Sequence, residues 1–416
     1  MAISPTIAIF GALDTKGVEF AFLKSEIEKK GCRTFVVDTG VLGAPVFKPD
    51  ISRGEVAQAG GAKLTTLMER NDRGEAIAVM TRGAASIARK LRTDGTCGGI
   101  IAMGGGAGTV IGTAAMRELP VGFPKLMVST VASGDVGAYV GTSDITMMPS
   151  IVDVAGLNRI SRVIISNAAA AICGMASNVV PVCREEKPLI AATMFGNTTP
   201  AVDHARHILE ENGYEVLVFH ATGTGGKTME ALIRDGYFAG VLDITTTEWA
   251  DELCGGVLGA GPDRLSAAAD SGVPQVVVPG CIDMCNFWAP KTVPDKYKER
   301  IFYHWNPNVT LMRTTPEENA RMAHIFVEKL NSASGPVTVM IPVRGFSQLD
   351  LEGKPFFWPE ANQAFIDTLK ANLRKDIPLV EMDADINDPA FSGKSAEVLL
   401  TMLRKVSFPN KQPLQT

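Results

Sequence analysis

The sequence predicts an α/β protein of two Rossmann-like doubly wound domains, with mainly parallel sheets and a ligand cleft between them. Short apolar runs alternate with longer segments whose apolar residues recur at helical spacing. This alternation is typical of parallel sheets with right-handed helical crossovers. The order of these signals in the first half recurs in the second half, which indicates an internal repeat. We expect a nucleotide-binding domain over residues 1–180 and a substrate or partner domain over residues 181–416.

The composition favours a soluble, cytoplasmic protein. Of 416 residues, 46% are hydrophobic and 20% are charged, and the formal net charge is −5. This charge balance argues against an electrostatic nucleic-acid binder. The seven cysteines show no metal-finger spacing, which fits a reducing compartment. The uncharged run 163–183 is interrupted by polar residues, glycine and proline, so we expect an alanine-rich helix buried between domains or subunits rather than a membrane span.

The individual elements follow from apolar runs and from glycines that end them. The predicted strands are 6–10, 34–37, 100–103, 125–131, 144–148, 189–195, 215–219, 239–243, 275–278, 337–341 and 379–382. In the first half, helices are expected around 54–70, 74–92 and 158–175. Ligands of such folds bind beyond the carboxyl ends of the strands, where this chain is rich in glycine, threonine, serine and aspartate.

A glycine-rich stretch directly follows the apolar run 100–103. Its key residues are Gly104, Gly105, Gly106, Gly108 and Thr109. Glycines let the backbone approach a ligand closely, and the amides and dipole of a following helix favour an anion. A tight turn without a ligand is the alternative. Because four glycines in five residues exceed what a turn needs, the stretch predicts a phosphate cradle.

The loop after the first predicted strand carries Gly11, Asp14, Thr15 and Lys16. Its spacing does not match the GxGxxG fingerprint, which argues against a nicotinamide or flavin enzyme. Polar groups and a cation at a helix start suit a phosphate or a metal-bound phosphate, although Asp14 or Thr15 could instead cap the helix. Asp38, at the end of the second strand, could accept a hydrogen bond from a ribose hydroxyl.

A second glycine cluster lies at 223–228. It resembles a Walker A motif, but the required glycine five residues before Gly226 is replaced by Ala221. The cluster therefore fails as a P-loop, and a second anion-binding helix start remains open.

The segment 281–316 is dense in aromatic residues and predicts a binding loop or lid. Within it, His304 could act as an acid or base and Asp283 could orient the imidazole ring. Arg344 follows a predicted strand, where it could grip a carboxylate or phosphate. These three residues are the candidate catalytic group. The alternative for His304 is ordinary packing against its aromatic neighbours.

Several strings together resemble one family across nearly the whole chain. They are FGALDTKG, MGGGAGT, STVASGD, HATGTGG, PGCIDMCNF and RTTPEE. The sequence is similar to the family named for the ATP-binding N-terminal domain of the tomato mosaic virus resistance protein. The resemblance implies two Rossmann-like subdomains, ATP binding with Mg²⁺, and a homodimer or higher homo-oligomer. By motif position it implies nucleotide contacts at Gly11, Asp14, Thr15, Lys16, Gly104 to Thr109, Ser133, Gly134 and Asp135.

Two functions remain open at this point. The first is a metabolic enzyme that uses ATP and Mg²⁺ in phosphoryl-type chemistry on a small anionic substrate in the inter-domain cleft. The second is a nucleotide-gated binding or regulatory protein without catalysis of its own. The sequence does not identify metal ligands. An enzyme requires Asp283, His304 and Arg344 to converge on one cavity.

Overall fold

The computed structural model describes residues 4–178 and 187–405. These residues form two units, a first domain of residues 4–178 and a second domain of residues 187–405. Each contains a parallel sheet flanked by helices, which confirms the predicted pair of Rossmann-like α/β domains.

The first domain has a five-stranded parallel sheet. Its strands are β1 (Thr6–Gly11), β2 (Arg33–Asp38), β3 (Gly99–Gly104), β4 (Lys125–Ser129) and β5 (Thr146–Pro149). Its helices are α1 (Gly17–Lys29), α2 (Arg53–Ala59), α3 (Leu64–Arg70), α4 (Arg73–Thr93), α5 (Gly106–Arg117), α6 (Gly137–Val140) and α7 (Arg159–Ser177). The strand order β2-β1-β3-β4-β5 is doubly wound, and the order reverses between β1 and β3.

Strand β1 illustrates how this sheet is buried on both faces. Ile7 and Ile9 pack on one side with helices α1 and α7, whereas Ala8 and Phe10 pack on the other side with α2, α4 and α5. Because successive strand side chains alternate between faces, a continuous apolar run is what a sheet covered by helices on both sides requires. The carboxyl edge of the sheet is thereby left as the place for a ligand.

The helix expected around 54–70 is wrong as a single element. Helix α2 ends at its C-cap Gly60, and Gly61 follows with φ of +91° before α3 begins. A Cβ on Gly60 would lie 2.1 Å from the carbonyl oxygen of Val79, so this glycine allows close packing against α4. The paired glycines therefore divide the segment into two short helices.

Helix α7 covers the sheet on the same side as α1. Among the described residues, α7 is the one helix that is long and apolar enough to cross a membrane, judged by length and composition alone. Ile165, Ala168, Ala169 and Ile172 are buried in the domain core. One face of the helix therefore packs in the core of the first domain, and its burial between domains or subunits stays a prediction. The rest of the uncharged run, from residue 179 onward, lies outside the described residues.

The second domain repeats the strand order of the first and adds one strand. Its parallel strands are β6 (Leu189–Met194), β7 (Glu215–His220), β8 (Phe238–Thr245), β9 (Gln275–Gly280), β13 (Val337–Pro342) and β14 (Leu379–Met382), in the order β14-β13-β9-β8-β6-β7. Its helices are α8 (Thr199–Glu211), α9 (Thr224–Arg234), α10 (Glu248–Cys254), α11 (Ala267–Ser271), α12 (Pro316–Asn331), α13 (Pro359–Asn372) and α14 (Pro389–Lys405). The shared topology agrees with the predicted internal repeat.

The segment 281–316 is not the open loop that the sequence suggested. Strands β10 (Met284–Phe287), β11 (Phe302–Asn306) and β12 (Val309–Arg313) form an antiparallel sheet in the order β10-β12-β11. Phe287, Tyr297 and Met312 are buried in a core cluster of the second domain. The aromatic density of this segment therefore reflects, in part, packing of a small second sheet.

Candidate functional site

A cavity of about 660 Å³ opens at the carboxyl ends of β1 and β3 in the first domain. Its lining includes Gly11 and Gly104, the last residues of those two strands. This is the point where the strand order reverses, and the two loops diverge there to leave a crevice. The predicted loops 11–16 and 104–108 therefore line one cavity.

The start of helix α5 presents unpaired backbone amides to this cavity. Gly105 is the N-cap residue, and no side chain caps the helix there. The first amide of the turn with a partner is that of Thr109, which donates to the Gly105 carbonyl oxygen at 2.9 Å. Among the hydrogen bonds of the described residues, none uses the amides of Gly106, Ala107 or Gly108. Such amides are ready donors for an anion.

Glycine has different roles at the start of α5 and further along the same helix. A Cβ on Gly106 would meet no atom within 4 Å, and the residue does not have a positive φ. Neither the backbone nor the packing therefore requires glycine at this position. By contrast, a Cβ on Gly112 would lie 2.6 Å from the Cβ of Ala102, so that glycine serves helix-to-strand packing.

Thr109 holds the glycine loop in place and does not line the cavity. Its side chain is fully buried. The Thr109 hydroxyl donates to the Gly105 carbonyl oxygen at 2.8 Å and shares a hydrogen bond of 2.6 Å with the Ser129 hydroxyl. The amide of Thr130 donates to the Gly104 carbonyl oxygen at 3.2 Å. The predicted ligand contact at Thr109 is thus replaced by a positioning role.

Asp14 ties the first loop to the loop after β2. One carboxylate oxygen accepts from the Thr15 amide at 2.7 Å, and the other accepts from the amides of Leu42 and Gly43 at 2.7 and 3.1 Å. Lys16 also lines the cavity, and its ammonium group donates to the Val154 carbonyl oxygen. Lys16 is thereby a cation at the edge of the cavity whose partner is a neutral carbonyl.

The opposite wall of the cavity is largely apolar and comes from helices α3, α4 and α5. Its apolar residues include Leu67, Ile77, Met80 and Ile111. Arg73, at the start of α4, lies exposed at the rim and has no ion-pair partner among the described residues. This wall was not predicted from the sequence. The turn residues Asn71 and Asp72, which separate α3 from α4, are the feature of the sequence that could have indicated this wall.

The other predicted cofactor residues lie outside the cavity lining. Asp38 is fully buried, and its carboxylate accepts from the amides of Leu13 and Gly40 at 3.1 and 2.9 Å. Burial raises the pKa of this carboxyl group. Asp38 therefore shapes the loops beneath the cavity instead of facing a ribose. Ser133 lines a neighbouring pocket, and Gly134 and Asp135 lie exposed beside it.

The three predicted catalytic residues are not brought together. Asp283 is fully buried and accepts a hydrogen bond of 2.8 Å from the Ser347 hydroxyl, whereas His304 is exposed on β11. His304 pairs with Thr310, and the Asp283 carbonyl accepts from the amide of Thr314, four residues further along. This separation is roughly 13 Å along the strand direction. A pairing of Asp283 with His304 has no support in this geometry.

Arg344, the third candidate, lies on the surface of the second domain. Its guanidinium forms two hydrogen bonds of 2.7 Å with the carboxylate of Asp383. The Arg344 side chain is 63% exposed and that of Asp383 is 77% exposed. The carboxylate that the sequence suggested for this arginine is thus supplied by the chain itself.

A buried ionic cluster in the second domain was missed by the sequence analysis. Arg264, 1% exposed, pairs with Asp243 at 2.5 Å and with Glu248 at 2.6 Å, and Glu230 lies at 3.4 Å. Although burial opposes it, Asp243 and Glu248 hold the pKa of Arg264 well above its usual value. Burial raises the pKa of Glu230. No short-range spacing in the sequence connects these four residues.

The fold and the cavity define the first domain as a doubly wound α/β domain with a glycine-lined crevice at its switch point. The chain belongs to the uncharacterised protein family UPF0261. The N-terminal domain of that family matches residues 5–181 and the C-terminal domain matches residues 187–403.

Relatives of known name support this assignment. A UPF0261 protein of Clostridium tetani is 51% identical over 400 residues, covering 96% of this chain and 99% of that protein. The ToMV susceptible protein tm-1(GCR26) of Solanum lycopersicum is 36% identical over 425 residues, covering 97% of this chain and 56% of the tomato protein. The predicted resemblance to the tomato proteins is therefore confirmed.

Solved structures add nothing about function. A UDP-N-acetylglucosamine 2-epimerase from Rickettsia bellii is 8% identical with a TM-score of 0.23, covering 97% of each chain.

Proposed function

We propose that the first domain binds ATP, with its phosphates on the amides at the start of α5. The observation that carries this proposal is the set of unpaired amides of Gly106, Ala107 and Gly108 beside a cavity of about 660 Å³. An anion at a helix N-terminus gains both these hydrogen bonds and the favourable helix dipole. Gly106, whose side chain position is open space, leaves room for the phosphate oxygens.

The rest of the cavity supports a nucleotide over a bare anion. Its apolar wall, with Leu67, Met80 and Ile111, suits a planar base. The cations Lys16 and Arg73 lie at the cavity and offset the charge of a polyphosphate. An inorganic anion would leave the apolar wall unused.

Mg²⁺ belongs to the proposal as an ion that arrives with the nucleotide. Among residues 4–178 and 187–405, no group of three or more histidine, cysteine, aspartate or glutamate side chains is placed to hold a metal ion. Two carboxylates line the cavity: that of Asp14 already accepts three backbone amides, and that of Asp72 accepts the Glu75 amide. Magnesium sites of nucleotide-binding proteins commonly use phosphate oxygens, water and one or two carboxylates. The phosphates would therefore supply most of the coordination.

Two uses of the bound nucleotide remain in the proposal. A metabolic enzyme acting on a small anionic substrate is one, and a nucleotide-gated regulatory protein is the other. The separation of Asp283 from His304 and the pairing of Arg344 with Asp383 favour the regulatory protein over an enzyme built on those three residues. The homodimer and the cytoplasmic location rest on the sequence and the family resemblance.

Isothermal titration of the full chain with ATP and Mg²⁺ tests this proposal. We expect saturable binding by the wild type and a loss of about a hundredfold in affinity for Gly106→Val, because the valine would occupy the phosphate position and exclude the charge-assisted hydrogen bonds. Gly174→Val is the matched control. Gly174 also lies in a helix of the first domain, and a Cβ there would likewise meet no atom within 4 Å.

The control should bind ATP as the wild type does. Unchanged affinity in a folded Gly106→Val variant, as judged by circular dichroism, would contradict the phosphate position. No binding by the wild type would contradict the nucleotide itself.

A further inference from the structure

A second pocket of about 330 Å³ lies in the first domain beyond the ends of β4 and β5. It is lined by Ser129, Thr130, Ser133, Pro149, Ser150, Ile151, Val152 and Asp153. We call it the hydroxyl pocket. At this volume it suits only a small molecule.

The hydroxyl pocket adjoins the cavity of about 660 Å³ at two places. We call that cavity the nucleotide cavity, after its proposed ligand. Thr130, which lines it, donates its amide to the Gly104 carbonyl oxygen, and a Cβ on Gly105 would lie 3.7 Å from the Thr130 hydroxyl. On the other side, the ammonium group of Lys16 lines the nucleotide cavity and contacts the carbonyl of Val154, next to Asp153. Lining residues of the two pockets are therefore in direct contact at the glycine loop.

Some polar side chains of the hydroxyl pocket form hydrogen bonds within the domain, and others have no hydrogen-bond partner in the described part of the chain. The Ser129 hydroxyl bonds to Thr109, and the Ser150 hydroxyl donates to the Val152 carbonyl oxygen at 2.7 Å. The side chains of Thr130, Ser133 and Asp153 have no hydrogen-bond partner among the described residues. These free groups comprise two hydroxyls, which both donate and accept, and one carboxylate, which accepts.

The backbone around Ile151 is strained where it forms the rim of the hydroxyl pocket. Ile151 has φ of +65° and is 69% exposed, and the Val152 amide donates to the Ser150 carbonyl oxygen at 2.7 Å. A three-residue turn with positive φ is rare, and a β-branched side chain makes it more costly. Strain of this kind is concentrated at ligand sites, where the surrounding structure maintains it.

We propose that the hydroxyl pocket binds a small, neutral, hydroxyl-bearing molecule beside the phosphate end of the nucleotide. Asp153 accepts the hydrogen of one ligand hydroxyl, and Thr130 and Ser133 bond to its neighbours. An anionic ligand is disfavoured because the pocket lining has one carboxylate and no cation. The placement beside a nucleotide rests on the proposed function, whereas the pocket itself does not.

Saturation-transfer NMR on the full chain tests the inference with defined probes. Glycerol and myo-inositol are the neutral probes, and succinate is the anionic comparison. We expect saturation transfer to the neutral probes and little to succinate. Ser133→Trp should abolish the transfer by filling the pocket, and Asp153→Asn should weaken binding about tenfold through the lost charge-assisted hydrogen bond.

Asp94→Asn is the matched control, since Asp94 is an exposed aspartate at the C-cap of α4 and lies outside the lining of both pockets. It should leave the transfer unchanged. Equal transfer in wild type and in a folded Ser133→Trp variant, or no transfer to the neutral probes, would overturn the inference. ATP titration of the same samples separates the two claims. ATP binding without polyol binding overturns only the hydroxyl pocket, and polyol binding without ATP binding overturns its placement beside a nucleotide.

Discussion

Strand β3 of the first domain and strand β8 of the second domain occupy the same place in the shared strand order. The helices that follow these two strands begin in different ways. In the first domain, β3 leads to the N-cap Gly105 and to Gly106 as the first residue of α5. In the second domain, β8 leads to the N-cap Thr247 and to Glu248 as the first residue of α10. Gly106 leaves open space toward a cavity. Glu248 is 1% exposed, and both of its carboxylate oxygens accept hydrogen bonds.

Glu248 occupies in the second domain the place that an anionic ligand would take. One of its carboxylate oxygens accepts from the amides of Gly223 and Gly226 at 2.8 and 3.1 Å, at the start of α9. A Cβ on Gly226 would lie 2.3 Å from that carboxylate. The second glycine cluster is therefore an anion-binding helix start whose anion is a side chain of the same chain. One topology thus forms an open, glycine-lined crevice in one domain and a buried ionic cluster in the other.

The largest effect is expected for Arg264→Ala, which would break this cluster. Removal of the guanidinium leaves Asp243, Glu248 and Glu230 buried without their cation, at a cost of about 3–5 kcal/mol in the free energy of unfolding. Urea unfolding at neutral pH measures it. Arg344→Ala is the control, because its pair with Asp383 is exposed on both sides and should contribute little to stability. Equal, small effects for both variants would show that the cluster is not stabilising.

A smaller loss, about 2–4 kcal/mol, is expected for Glu248→Ala, because Arg264 keeps two carboxylate partners. Formate, which matches the lost carboxylate, should raise the thermal midpoint of this variant more than that of the wild type at equal ionic strength. Glu252→Ala, an exposed position on the same helix, should show neither the loss nor the rescue. If formate acts equally on all three proteins, the comparison with a ligand site fails.

The third prediction concerns the pH dependence of the stability of the second domain. Burial raises the pKa of Asp251 to about 7, against hydrogen bonds from Asn286 and Leu258 that lower it. The folded state therefore holds a proton that the unfolded state releases near the ordinary aspartate pKa of 3.8, so this group makes the unfolding free energy fall as pH rises from about 4 to about 7. Above that range its contribution is constant.

Asp251→Asn should flatten this part of the pH profile without abolishing it, because Asp283, whose pKa burial and Asp350 also raise, remains. Urea unfolding at several pH values between 4 and 8 is the measurement. The exposed Asp270→Asn serves as the control. Identical slopes in wild type and Asp251→Asn would contradict the buried, titrating carboxyl group.

Much of the fold and half of the site could be predicted from the sequence, because both depend on local patterns. The apolar run 100–103 and the glycines after it are contiguous, so β3 and the start of α5 could be located without a structure. The Gly11 and Gly104 loops converge because both end neighbouring parallel strands. The division of 54–70 at Gly60 and Gly61 was also visible but was not used.

The rest depends on contacts between distant residues. Arg264 meets Glu230, Asp243 and Glu248 across separations of 34, 21 and 16 residues, and no periodicity encodes them. The aromatic segment 281–316 could equally have formed a lid or a small sheet, since both contain exposed and buried aromatic residues. The roles of Asp14 and Thr109 could not be separated into ligand contact and loop support, because the same residue types perform both.

The most direct test of the contrast between the two domains is the backbone amide NMR spectrum of the full chain during titration with ATP and Mg²⁺. The account predicts large, saturable shifts for the amides of Gly106, Ala107 and Gly108, which have no partner in the described structure. The amides of Gly223 and Gly226 should stay unchanged, because Glu248 already accepts from them. Shifts confined to Gly223 and Gly226, or no shift at Gly106 to Gly108 when ATP is bound, would contradict it.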